Sequence, residues 1–118
     1  MRRRLVVLMV AVTMALLGTQ VASAAVTSSI SIAYNATTMH FHGKVSSADS
    51  ECIAGRTVKV FKKTPTGNTL EGKTTSNKSG GWKVDVMNAH GKYIAVTPTQ
   101  KIMTTHCARA RSSTVDVM

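Results

Sequence analysis

Apolar side chains in this chain recur at every second position, in runs broken by glycine, proline and asparagine. A two-residue period sends successive side chains to opposite faces of an extended strand, so each run reads as a strand with one buried face. Seven runs follow one another. Residues 29–34 set Ile30, Ile32 and Tyr34 against Ser31 and Ala33. Residues 39–45 put Met39, Phe41, Gly43 and Val45 on one face, with His40, His42 and Lys44 on the other. Residues 56–63 turn Val58 and Val60 inward, with Lys59 and Phe61 opposite. Residues 69–75 have Leu70 alone as a clear hydrophobe and read as an edge strand. Trp82, Val84 and Val86 alternate with Lys83 and Asp85. Residues 92–97 are apolar on both faces, with Tyr93 and Ala95 against Ile94 and Val96, and residues 113–117 close the chain with Val115 and Val117.

Between the runs lie turn sequences. Pro65-Thr66-Gly67-Asn68 combines a proline with φ preset for a first corner and a glycine free to take positive φ. Asn77-Lys78-Ser79-Gly80-Gly81 and Asn88-Ala89-His90-Gly91 are further turns. Short strands with turns at such spacing predict an all-β domain, a β-sandwich of about seven strands. Two longer polar loops, residues 46–55 and 98–111, carry the two cysteines.

The N-terminus follows a different pattern. Arg2, Arg3 and Arg4 precede an apolar run, residues 5–17, in which Thr13 is the one polar residue; Val21-Ala22-Ser23-Ala24 follows. Charge, apolar stretch and small-x-small spacing predict a signal peptide over residues 1–24, cleaved after Ala24. The apolar run falls short of the roughly 20 residues that span a bilayer. Residues 25–118 then form one domain, secreted or held at the cell envelope, with no transmembrane segment expected in the mature chain.

Export sets the chemistry of Cys52 and Cys107. In an oxidising compartment the pair is expected as a disulfide, closing a loop of about 55 residues worth roughly 4 kcal/mol by the chain-entropy argument. Export also removes three arginines, so the formal charge of +10 falls by three to +7. A basic exported domain is drawn to anionic polymers, lipid headgroups and acidic glycans. Nucleic acid is not expected as a partner, because the chain is exported and its aromatic content is 4%.

Gly43-Lys44-Val45, Val58-Lys59-Val60, Ser76-Asn77-Lys78-Ser79-Gly80-Gly81-Trp82 and Gly91-Lys92-Tyr93 together resemble the secreted transthyretin-like, or carboxypeptidase-regulatory-like, β-sandwich modules. Those modules show a Thr-Asp/Asn turn, a glycine, an aromatic two residues later, then Gly-x-Tyr about ten residues on; here Ser76 stands in place of the threonine. The resemblance implies an Ig-like or prealbumin-like sandwich. It carries over no ligand site, because its motifs specify a turn and core aromatics.

No residues here have the spacing of an enzyme. Gly-x-Ser-x-Gly is absent, the five acidic residues are scattered, and His106 and Cys107, adjacent in an extended chain, point apart. No catalytic residue and no cofactor is expected. His40 and His42, two apart on one strand face, are weak metal-ligand candidates, with His90 or His106 to complete a set. Lys44, Lys59, Lys62 and Lys63 are the candidates for a patch facing an anionic envelope polymer. The other partner expected is an extracellular protein, bound as an accessory or inhibitor module through loops. Asn35-Ala36-Thr37 and Asn77-Lys78-Ser79 match the N-glycosylation triplet, a pattern that arises often by chance. Intact-mass measurement of the exported protein is expected to find a chain beginning at Ala25 and two hydrogens lighter than the reduced form; a retained leader or two free thiols would contradict this reading.

Overall fold

The computed structural model of the protein describes residues 25–118, and the leader expected over residues 1–24 lies outside the described residues. Among these residues the chain is built from short strands: β1 (Ser28–Ile30), β2 (Ala33–Asn35), β3 (His40–Ser47), β4 (Thr57–Thr64), β5 (Gly67–Thr75), β6 (Gly81–Asp85), β7 (Gly91–Thr97), β8 (Gln100–Ile102), β9 (Thr105–Cys107), β10 (Ala110–Arg111) and β11 (Val115–Val117). A single 3-10 turn, Ser50–Cys52, precedes β4. None of the helices among the described residues is long and apolar enough to cross a membrane.

The strands form two facing sheets and a small hairpin. In the first sheet β3 pairs with β6 on one side and with β1 and β2 along the other. In the second, β4 lies between β5 and β7, and β10 and β11 follow the far edge of β7. The pairs β1/β2 and β10/β11 are each one strand broken in the middle. At the first break the Ser31 hydroxyl accepts from the Lys44 N–H at 2.9 Å, and at the second the Ser112 hydroxyl accepts from the Ala95 N–H at 2.8 Å. In each case a serine oxygen stands in for a ladder carbonyl, so the chain bends without orphaning a buried donor. Counting each broken pair once gives seven strand positions, three facing four. Alternation alone does not show the break in residues 29–34, since serine and alanine fit either conformation.

The inward residues make one core: Ile30, Phe41, Val45, Val58, Val60, Trp82, Val84, Tyr93, Ala95 and Ala110. Phe41 is its hub, with ring centroids 4.7 Å from Tyr34 and 4.6 Å from Tyr93. Burial of each large side chain contributes about 1.5–3 kcal/mol. Tyr93 also fixes the turn before it, since its hydroxyl donates to the His90 carbonyl at 3.2 Å and accepts from the His90 N–H at 3.0 Å. Where the sheets approach at β5 and β6, the core has no room for a side chain on β5. A Cβ at Gly72 would run into Val84 Cγ1. The register of β4 against β5 slips at this point, leaving Glu71 as the extra residue of a bulge.

The Asn77 turn is closed by its own side chain. Asn77 Oδ1 accepts from the Ser79 N–H, the Ser79 hydroxyl and the Gly81 N–H at 3.1, 2.9 and 2.9 Å. Gly80 holds φ at +90° with its carbonyl bonded to the Val45 N–H at 2.8 Å, and a Cβ there would meet the Val45 oxygen. Ser76, just before the turn, donates to the Ile53 carbonyl at 2.6 Å and accepts from the Arg56 N–H at 2.9 Å. It thereby ties the cysteine-bearing loop to the end of β5.

Three local expectations are corrected. Met39 does not share the face of Phe41: it adopts φ 55° and closes the preceding turn, so β3 begins at His40. The left-handed residue follows from Asn35, whose Oδ1 accepts from the Thr37 and Thr38 N–H groups and coils the chain too tightly to stay extended. Val86 falls just past the end of β6 but keeps its inward side, packed against the core with its N–H bonded to the Met39 carbonyl at 3.2 Å. Residues 98–111 are not an open loop; they contain the β8–β9 hairpin and the start of β10.

The Cys52–Cys107 disulfide joins the 3-10 turn to β9, with Cα atoms 5.5 Å apart and both cysteines fully buried. Beside it lies Arg56, also fully buried. Its guanidinium donates to the carbonyls of Cys52 (3.0 Å), Pro98 (3.3 Å) and Ala108 (2.8 Å), to Ser28 Oγ (2.8 Å) and to Gln100 Oε1 (3.2 Å). Burial pushes the guanidinium pKa down from its ordinary value. It starts so high that the group stays charged at neutral pH, and the desolvation cost is offset by bonds to neutral acceptors. Replacing Arg56 with leucine is expected to lower unfolding stability by about 3 kcal/mol or more, because several buried acceptors lose their donor. Chemical denaturation of the oxidised protein checks this, and a loss within about 0.5 kcal/mol would show that the bonds carry little weight.

Candidate functional site

The two sheets turn very different faces to solvent. On the three-position sheet the inward phase of β3 belongs to Phe41 and Val45, so His40, His42 and Lys44 point out. Register sets Asp85 opposite His40 and Lys83 opposite His42. The two imidazoles lie with ring centroids 5.7 Å apart, edge to face, and His40 Nε2 is 3.4 Å from the Thr38 hydroxyl. Among the described residues no three His, Cys, Asp or Glu side chains come together as a metal-holding group. His90 belongs to the turn that Tyr93 closes, and His106 lies on β9.

The four-position sheet carries most of the organised charge. Val58 and Val60 face the core, so Lys59, Phe61 and Lys63 face out. Register extends these into rows that cross the strands. Lys59 lies opposite Lys73 on β5 and opposite Val96 on β7, and Val96 in turn lies opposite Arg111 on β10. The next outward row is Leu70, Phe61 and Ile94. Ile94 and Val96 are 2% and 7% exposed although they lie outside the core cluster. Val96 has a long cationic side chain on either side, and the alkyl stems of lysine and arginine commonly cover such positions. Leu70 is 50% exposed, and Lys73 and Arg111 are exposed.

The lysines singled out from sequence therefore divide. Lys59 and Lys63 share the outer face of the four-position sheet. Lys62 is in the opposite phase, at the end of the sandwich, with its Cε 3.2 Å from where a Cβ on Gly91 would lie. Lys44 is on the outer face of the other sheet. Sequence reasoning missed Lys73 and Arg111, which join Lys59 through register alone: the row forms because β5 and β10 are brought to either side of the β4–β7 pair. No local pattern announces that pairing. It also missed Arg56, although a signal was present, since Arg56 is in phase with the inward Val58 and Val60.

Trp82 is 5% exposed and belongs to the core. A shallow depression of about 450 Å³ runs beside it, between the edges of β5 and β6. The indole Nε1 is sealed from solvent and has no partner, so it offers no donor to that depression.

The β8–β9 hairpin stands outside both sheets. Gln100 anchors its first strand, accepting from the Thr57 N–H at 2.9 Å and donating to the Thr57 hydroxyl at 3.2 Å. Thr105 donates to Glu51 Oε2 at 2.7 Å, and Val26 bridges to Cys107. The tip is Met103, 79% exposed with φ 56°.

No protein-family model matches the chain, and no curated protein matches it. Among solved structures it aligns with one described as "Crystal structure of tetra-tandem repeat in extending region of large adhesion protein", with a TM-score of 0.46 and 11% identity, covering 78% of this chain and 24% of that one. The chain thus spans about a quarter of that structure's length, and at that score the likeness decides nothing about function.

Proposed function

We propose that this protein is a small exported, non-enzymatic binding module that acts at the cell envelope or outside the cell by attaching to an anionic polymer. The observation that carries the reading is the cationic row Lys73–Lys59–Arg111 on the outer face of the four-position sheet, beside a partly exposed apolar row. Rigid strands hold the backbone that carries these cations, so little backbone order has to be gained on binding. A buried disulfide suits an oxidising compartment and with it the exported reading. The transthyretin-like assignment belongs to the same proposal. It is supported by the self-closed Asn77 turn, the core position of Trp82 and the Tyr93 hydroxyl gripping its own turn, which are the parts the resemblance rests on.

The β8–β9 hairpin favours a second reading, a protein-binding accessory or inhibitor module. Its base is pinned and its tip exposes a methionine, an arrangement suited to presenting a loop to a protein surface. The two readings differ in their response to salt, because exposed charge–charge attraction is screened within a few ångströms at high ionic strength. The purified exported protein is expected to sediment with envelope material from the producing organism. Retention should fall about tenfold or more between about 0.05 and 0.5 M salt. Retention indifferent to salt would overturn the polymer reading in favour of a protein partner.

A further inference from the structure

The outer face of the four-position sheet presents charge in a pattern, and the pattern restricts the polymer. Adjacent strands are about 4.8 Å apart, so Lys73 and Lys59 are offset by one such step and Arg111 by two further steps. The parallel row Leu70–Phe61–Ile94 lies about 7 Å away along the strands. Two acidic residues border the rows: Glu71, the unpaired residue of the bulge next to Leu70, and Asp116, which lies opposite Lys92 on the same face, one row beyond Ile94. An occupant that uses both rows must be extended, carry negative charge at intervals near the strand spacing, and have an apolar flank.

These demands separate the anionic classes. A polyphosphate chain has the charge but no apolar flank. A bilayer surface needs several apolar tips that project past the lysines, whereas Leu70 alone in this row is well exposed, Phe61 being half-buried and Ile94 2% exposed. A chain of uronic acids has carboxylates at each sugar and rings whose C–H faces are apolar. We propose, resting on the anionic-polymer reading above, that this face binds an acidic polysaccharide of the polyuronate type running across the strands. Its carboxylates pair with Lys73, Lys59 and Arg111, and its sugar rings lie over Leu70 and Phe61. Arg111 is suited to the planar carboxylate, which its guanidinium meets with two parallel hydrogen bonds.

The test is a titration of the purified exported protein with polygalacturonate at fixed low salt. Dextran, polyphosphate and phosphatidylglycerol vesicles serve as separate probes. Polygalacturonate is expected to bind and dextran not to bind. The triple variant K59Q/K73Q/R111Q should weaken binding about tenfold, the sum of three exposed ion pairs. Leu70→Ser, which leaves the charge unchanged, should weaken it about threefold. K44Q/K83Q, on the opposite sheet, should leave it within about twofold. Thermal melts of each variant establish that the fold is intact. Three results would overturn the proposal and leave anionic attraction standing: equal losses from the two lysine sets, polyphosphate bound as tightly as polygalacturonate with Leu70→Ser silent, or vesicles bound in place of polygalacturonate. Failure to bind any of the three polyanions would remove both.

Discussion

Four stretches of the chain converge on the guanidinium of Arg56: the start of β1, the 3-10 turn four residues upstream, the passage from Pro98 to Gln100 between β7 and β8, and the step after β9. None of the residues that meet it there, Ser28, Cys52, Pro98, Gln100 and Ala108, belongs to the main core cluster. Each ends in a polar backbone or side-chain oxygen that burial leaves in need of a donor. One planar group with its N–H donors in a fixed fork supplies them, where a lysine would offer a single point charge. The disulfide next to it works differently. It removes entropy from the unfolded chain, about 4 kcal/mol for its separation of 55 residues, but does not itself satisfy those oxygens. Covalent tie and buried cation are complementary, one limiting where the segments can go and the other fixing how they meet.

That division explains how the sandwich is held at its two ends. At the end carrying the disulfide, order comes from polar bonds: Ser76 to the cysteine loop, Gln100 to Thr57, and Asn77 to its own turn. At the other, aromatic packing does the work, with Tyr34 and Tyr93 each against the Phe41 ring, Tyr34 bonded to the Val86 carbonyl and Tyr93 to His90. The faces between the ends are then free to carry charge. The outer lysines on β4 and β5 contribute little to stability, since exposed cations on a sheet are worth a few tenths of a kcal/mol at most. Their arrangement is available to function for that reason.

Much of the fold was legible because burial imposes a strict period on strands. The run through Val58 and Val60, the run through Trp82 and Val84, and the doubly apolar run through Ile94 and Val96 all occur as strands with the expected faces inward. The pairing of Cys52 with Cys107 followed from two cysteines and the expectation of an oxidising compartment. What was not legible depends on register or on single hydrogen bonds. The breaks at Ser31 and Ser112 turn on a hydroxyl replacing a carbonyl. The β8–β9 hairpin has too few apolar residues to show a period, and its stability comes from Arg56, Gln100 and the disulfide. The cationic row is a property of which strands lie side by side, and only Lys59 of its three members was read from sequence. Arg56 shows the opposite case: the phase of its strand marked it as inward, and its charge drew attention away from that phase.

The β8–β9 hairpin has a consequence of its own. Its two strand ends are immobilised by bonds that the tip does not share, while Met103 adopts a left-handed backbone that a glycine or asparagine would take with less strain. Selection on the tip is thereby uncoupled from selection on the fold. Residues there can be exchanged or lengthened at small energetic cost, with loop entropy growing only slowly with length. Such a position is where a foreign peptide could be carried with both of its ends already in place.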